Sequence, residues 1–72
     1  MLVLVEPCWR VIGPSNEVIT CGIYRTDAGV EVRCGYSDED LIRSQFAPHV
    51  EISQDIAAAW KRAAIDKGFA EV

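Results

Sequence analysis

The chain has 72 residues, half of them apolar and a quarter charged, with a formal net charge of −4 from seven Lys and Arg against eleven Asp and Glu. That composition belongs to a folded domain, not a disordered segment. The length holds a single small α+β domain, 1–72, whose thin core leaves little room for a deep active site, and the acidic balance disfavours a nucleic-acid partner because phosphate backbones repel it.

Leu2-Val3-Leu4-Val5 is apolar but ends at Glu6-Pro7. It is too short to span a bilayer and lacks the basic start of a secretory leader. Three cysteines, an odd number, read as free thiols and not as a disulfide framework. Together these features give the expectation of a cytoplasmic protein with no membrane partner.

Cys8–Ile12 reads as the first strand, since it is short and carries Trp, Val and Ile. Pro14-Ser15-Asn16 reads as a three-residue hairpin loop, because Pro presets φ and Asn tolerates the left-handed conformation that closes it. This loop places Val11 opposite Ile19 and Trp9 opposite Cys21. A second loop, Thr26 to Gly29, admits two registers. The four-residue version sets Ile23 opposite Val32 and Cys21 opposite Cys34, and it gathers the apolar side chains on one face. That buried face is then Trp9, Val11, Ile19, Cys21, Ile23, Val30, Val32, Cys34 and Tyr36. The other face carries Arg10, Thr20, Gly22, Tyr24, Glu31, Arg33 and Gly35, joined by Cys8, Ile12 and Val18.

Ser37-Asp38-Glu39-Asp40 has the pattern of a capped helix start, and a helix is expected from Leu41 to about Phe46, ended by Pro48. Ser53 is a second cap candidate, before an alanine-rich helix from Gln54 to Lys67 with a core stripe of Ile56, Ala59, Trp60 and Ala63. Gly68 stands where a helix ends in the left-handed conformation, with Phe69 able to fold back on the last turn. The expected fold is a three-stranded antiparallel β-meander followed by two α-helices packed on one sheet face.

Few residues point to chemistry. Cys8, Cys21, Cys34 and His49 form an accepted zinc ligand set, but no two of them are closer than twelve positions in sequence, whereas zinc sites use close pairs. A Cys21–Cys34 cross-strand pair would be strained as a disulfide, so two packed thiols are expected. A cysteine nucleophile served by His49, the sole histidine, has no supporting motif. The run Asp38-Glu39-Asp40 lacks the glycine and terminal Glu of a calcium loop. Phosphate loops, Ser-His-Asp arrangements and nucleotide fingerprints are absent from the sequence. No cofactor, metal or catalytic residue is therefore assigned, and the chain reads as a non-enzyme.

What remains is a candidate binding set, Arg10, Tyr24, Arg25, Glu31 and Arg33, on the sheet. Guanidinium forks hold carboxylates and phosphates, and tyrosine rings stack on planar ligands. Cross-strand pairing of Tyr24, Glu31 and Arg33 explains the same residues without a ligand. The functional expectation is a protein-interaction or regulatory module that pairs with itself or with another protein. A small anionic-ligand binder using the Arg/Tyr face is the alternative.

The stretches Trp9–Ser15, Ile23–Thr26, Gly29–Tyr36 and Asp40–Gln45, with the closing Trp60 helix, resemble a group of short, uncharacterised bacterial proteins. The similarity covers nearly the whole chain after Pro7. It implies a stand-alone bacterial protein and brings no activity, ligand or catalytic residue with it.

Overall fold

Alternating apolar and polar residues, interrupted by two turn signals, build antiparallel strands here. The structure, a computed structural model, describes residues 2–37 and 39–72. Its elements in chain order are β1 (Val3–Ile12), β2 (Val18–Thr26), β3 (Gly29–Gly35), β4 (Leu41–Ala47), α1 (Val50–Asp66) and β5 (Ala70–Glu71). The strands form one antiparallel sheet in the order β4-β3-β2-β1-β5, with α1 packed against one face.

Both expected hairpins form in the expected registers. In the first, Val11 lies opposite Ile19 and Trp9 opposite Cys21. Asn16 takes a φ of 65°, and Gly13 N–H closes the loop on the Glu17 carbonyl at 2.8 Å. In the second, Ile23 faces Val32 and Cys21 faces Cys34. Thr26 Oγ1 accepts the Ala28 N–H at 3.0 Å, and Gly29 adopts a φ of 127° that a side chain would resist. The core is Val11, Ile19, Cys21, Ile23, Val30, Val32 and Cys34 from the sheet with Ala57 and Trp60 from α1. Trp9 is partly buried beside it and its indole N–H donates to the Ala57 carbonyl at 2.7 Å. Tyr36, expected in the core, is exposed because the chain leaves the sheet after Gly35.

The expected helix over Leu41–Phe46 is instead strand β4. The capping signal is genuine but serves a turn: Asp40 N–H donates to Ser37 Oγ at 3.1 Å, and Tyr36 N–H donates to the Asp40 carbonyl at 3.0 Å. Asp38 of the expected helix start lies outside the described residues. A six-residue helix could not sustain itself. Pairing with β3 satisfies a whole row of backbone groups at once, with Val30 opposite Ala47 and Cys34 opposite Arg43. Ile42 is an extra residue at the bulge between the Cys34 and Gly35 pairs.

The alanine-rich helix forms but begins earlier than expected, with His49 in the cap position and Ser53 inside the first turns. Ser53 is fully buried and its hydroxyl donates back to the Val50 carbonyl. Burial of Ser53, Ala57 and Trp60 rotates the core stripe, so Ala59 and Ala63 are exposed. At the other end the Gly68 N–H donates to Ile65 and the Phe69 N–H to Ala64, at 3.0 and 3.1 Å, with Gly68 at a φ of 101°. This is the double-bonded glycine termination anticipated for Gly68 and Phe69. The turn carries Phe69 onto the core and brings β5 alongside Val11 and Ile12, a pairing that two residues of sequence did not announce.

Candidate functional site

Directly opposed residues in an antiparallel pair share a face. Tyr24 opposite Glu31, and Arg33 opposite Ser44, therefore sit together on the face away from α1. Arg10, opposite Thr20, shares it. Arg25 does not: it lies opposite Val30, a core residue, and so projects on the helix-bearing side at the sheet's end. Four of the five residues of the expected binding set are thus assembled and one is not.

The four divide further. Arg33 Nε lies 3.1 Å from Glu31 Oε1, and its guanidinium sits 5.8 Å from the centre of the Tyr24 ring. The Nε–H is not aimed at the carboxylate, so this contact is Coulombic and leaves Nε without a hydrogen-bond partner among the described residues. Pairs of this kind contribute about 0.2–1 kcal/mol each. The cleft between Tyr24 and Arg33 encloses only about 10 Å³, the size of one water at most. On the other side of Tyr24 a shallow depression of about 410 Å³ is lined by Leu4, Pro7, Arg10, Thr20 and Gly22. Room for a ligand is therefore found beside Arg10, not beside Arg33.

The space above Gly22 and Gly35 on this face is filled from within. A β-carbon on Gly22 would sit 3.1 Å from a Leu4 methyl and 3.2 Å from the Tyr24 ring. One on Gly35 would collide with the Asp40 carbonyl and lie 2.7 Å from Leu41 Cα, because the β4 backbone crosses close over it.

The thiols are arranged differently from expectation. Cys8 was expected on the face away from Cys21 and Cys34. In the structure β1 carries two register shifts, between Leu4 and Glu6 and between Pro7 and Trp9. At the second, Cys8 and Trp9 together oppose Cys21. The extra residue turns Cys8 toward the core on the strand beside Cys21, where its thiol donates to the Glu6 carbonyl at 3.8 Å. The neighbouring Cys21 thiol lowers the Cys8 pKa against opposing contributions from burial and from Glu6. Cys8, with burial, pushes the Cys21 thiol far up. Burial also raises Cys34. The available signal was Pro7, since proline inside a strand marks an edge or a bulge. Among the described residues no three His, Cys, Asp or Glu side chains converge as a metal site. His49 stands at the start of α1.

The two sheet edges differ sharply. The β1 edge is guarded by Pro7, by two bulges and by β5 covering Val11 and Ile12. Among the described residues the β4 edge has no strand beside it, and its sequence holds no proline. Its one charged side chain, Arg43, is exposed and rests its guanidinium 4.8 Å from the centre of the Trp60 ring. Ile42 and Phe46 stand 49% and 57% exposed on this strand. Beside it an apolar hollow of about 250 Å³ opens between the end of α1 and the sheet, bordered by Tyr36, Ile42, Trp60 and Phe69. An unpaired edge strand that exposes apolar side chains can template the pairing of another strand. Ile65, off the main helix stripe, is also exposed.

Among the described residues no helix is long and apolar enough to cross a membrane. Comparison with known proteins found no matching family model, no matching curated protein and no matching solved structure.

Proposed function

We propose that this chain is a non-enzymatic interaction module that pairs with a second copy of itself through β4, joining two sheets into one. The observation that carries this reading is that β4 has no partner strand on its outer side among the described residues and exposes Ile42 and Phe46, whereas the β1 edge is interrupted by Pro7 and partly covered by β5. A domain of this size gains stability by dimerising. An antiparallel pairing centred on Ser44 sets Arg43 of one copy opposite Gln45 of the other, so no like charges meet. Strand addition supplies main-chain hydrogen bonds, and the exposed Ile42 and Phe46 supply apolar contact.

Ser44→Glu tests this directly. It places two carboxylates opposite one another at the two-fold centre, while in the monomer the exposed position faces Arg33 on β3 and tolerates a negative charge. Self-association measured by analytical ultracentrifugation is expected to weaken tenfold or more, which is about 1.4 kcal/mol. The circular dichroism spectrum of the monomer is expected to stay unchanged. A wild-type chain that stays monomeric at millimolar concentration would count decisively against the proposal.

A second reading rests on the depression beside Arg10. Its exposed guanidinium and the neighbouring Tyr24 suit a small anion with a planar group. A thermal-shift screen of anionic metabolites is expected to raise the melting temperature for at least one of them, and Arg10→Ala is expected to abolish the rise. No shift with any anion, or a shift that survives Arg10→Ala, removes this reading.

A further inference from the structure

We propose that Cys8 and Cys21 form a redox dithiol that closes to an intramolecular disulfide when the protein meets a hydroperoxide, with Cys8 the attacking sulfur and Cys21 the resolving one. Three observations on the folded chain converge on this pair. The bulge makes Cys8 the extra residue opposite Cys21, packs it on the core cluster that contains Cys21, and leaves both residues lining the 410 Å³ depression. Cys8 is partly exposed while Cys21 and Cys34 are buried, so an oxidant reaches one sulfur first. All three cysteines are free thiols.

The electrostatics favour the same order of events. The neighbouring Cys21 thiol lowers the Cys8 pKa and so favours its thiolate, while Cys8 and burial raise Cys21 and keep it protonated. The thiolate is the nucleophile in thiol oxidation. In the first step Cys8 sulfur attacks the near oxygen of the hydroperoxide. The O–O bond breaks, an S–O bond forms, sulfur is oxidised and the departing oxygen leaves as the alcohol or water after taking a proton. In the second step Cys21 sulfur attacks the Cys8 sulfenic acid. The S–O bond breaks, the S–S bond forms and water leaves with the Cys21 proton. Two thiols and one hydroperoxide thus become one disulfide, one alcohol and one water.

Cys21 also faces Cys34, but this pair serves the chemistry less well. Directly opposed β-carbons in a regular ladder stand about 4.5–5.5 Å apart, wider than the roughly 3.8 Å a disulfide takes. Neither sulfur of that pair is exposed to an oxidant. The irregular backbone at Cys8 is what distinguishes the first pair from the second.

The test uses the reduced full chain and hydrogen peroxide. Arg10, Arg25 and Arg33 place the three cysteines in separate tryptic peptides, 1–10, 11–25 and 34–43. Intact mass is expected to fall by two hydrogens, and the non-reducing digest is expected to join peptides 1–10 and 11–25 while Cys34 stays alkylatable after unfolding. In Cys21→Ser a sulfenic acid is expected to persist on Cys8 and to be trapped by a cyclic dione. Cys34→Ala, a separate variant, is expected to form the same disulfide as wild type. A Cys21–Cys34 link, an intermolecular link, sulfinic acid on Cys8 beside a free Cys21, or thiols that all survive the peroxide would each overturn the proposal. Because the wild-type digest alone separates these outcomes, a variant that fails to fold does not spare it.

Discussion

Trp60→Ala is expected to remove a quarter or more of the stability of this domain. Trp60 is only 7% exposed and is the largest side chain that α1 sends into the core. Truncating a buried tryptophan costs about 3–5 kcal/mol, as lost transfer energy and as a cavity. At typical stability per residue a domain of 72 residues has about 4–11 kcal/mol in total. The loss reaches further than the helix, because the Arg43 guanidinium rests on the Trp60 ring at 4.8 Å. Without the ring, Arg43 loses a contact worth about 0.5–1 kcal/mol and is freed to swing out over the β4 edge. Urea unfolding followed by circular dichroism checks the first effect, as a lower midpoint. Ala59→Gln is the control: the position is exposed, and the change is expected to stay within about 0.5 kcal/mol. A core stripe through Ala59 would instead make that substitution severe.

Gly35→Ala is the second large effect. The added methyl group meets backbone, the Asp40 carbonyl and Leu41 Cα, which cannot rotate away as a side chain would. Overpacking of this kind costs about 1–3 kcal/mol, and here relief requires β4 to move away from β3. Loss of the β3–β4 junction is therefore expected along with the loss of stability, and with it the strand that we propose to pair between copies. Gly22→Ala is expected to cost less, because the Leu4 and Tyr24 side chains that press on that position can shift by a few tenths of an ångström. Equilibrium unfolding of the two variants side by side checks the order.

Both hairpin registers were legible because turn chemistry and apolar alternation agreed. Asn16 and Gly29 take the positive φ values that their loops demand, and the pairs Val11–Ile19 and Ile23–Val32 then follow. The long helix and its Gly68 ending were legible for the same reason. β4 was not, because Ser37 hydrogen-bonds to Asp40 N–H whether a helix or a turn comes next. Leu41, Ile42, Gln45 and Phe46 fit helical spacing in sequence. The deciding factor, the unpaired outer backbone of β3, is non-local. The bulge at Cys8 was hidden for a related reason. Strict alternation assigns Cys8 to the wrong face, and only the extra residue beside Pro7 corrects it. Of the binding set, strand alternation placed Arg10, Tyr24, Glu31 and Arg33 together, but it could not show that Glu31 and Tyr24 occupy Arg33.

The most direct test of the interaction module is hydrogen–deuterium exchange, resolved along the sheet, as protein concentration rises. Pairing between copies through β4 predicts that the outward backbone amides of Leu41–Ala47 become protected with concentration, while those on the Val3–Arg10 edge exchange at a constant rate. Exchange in β4 that is independent of concentration, or protection that grows on the β1 edge instead, would contradict it.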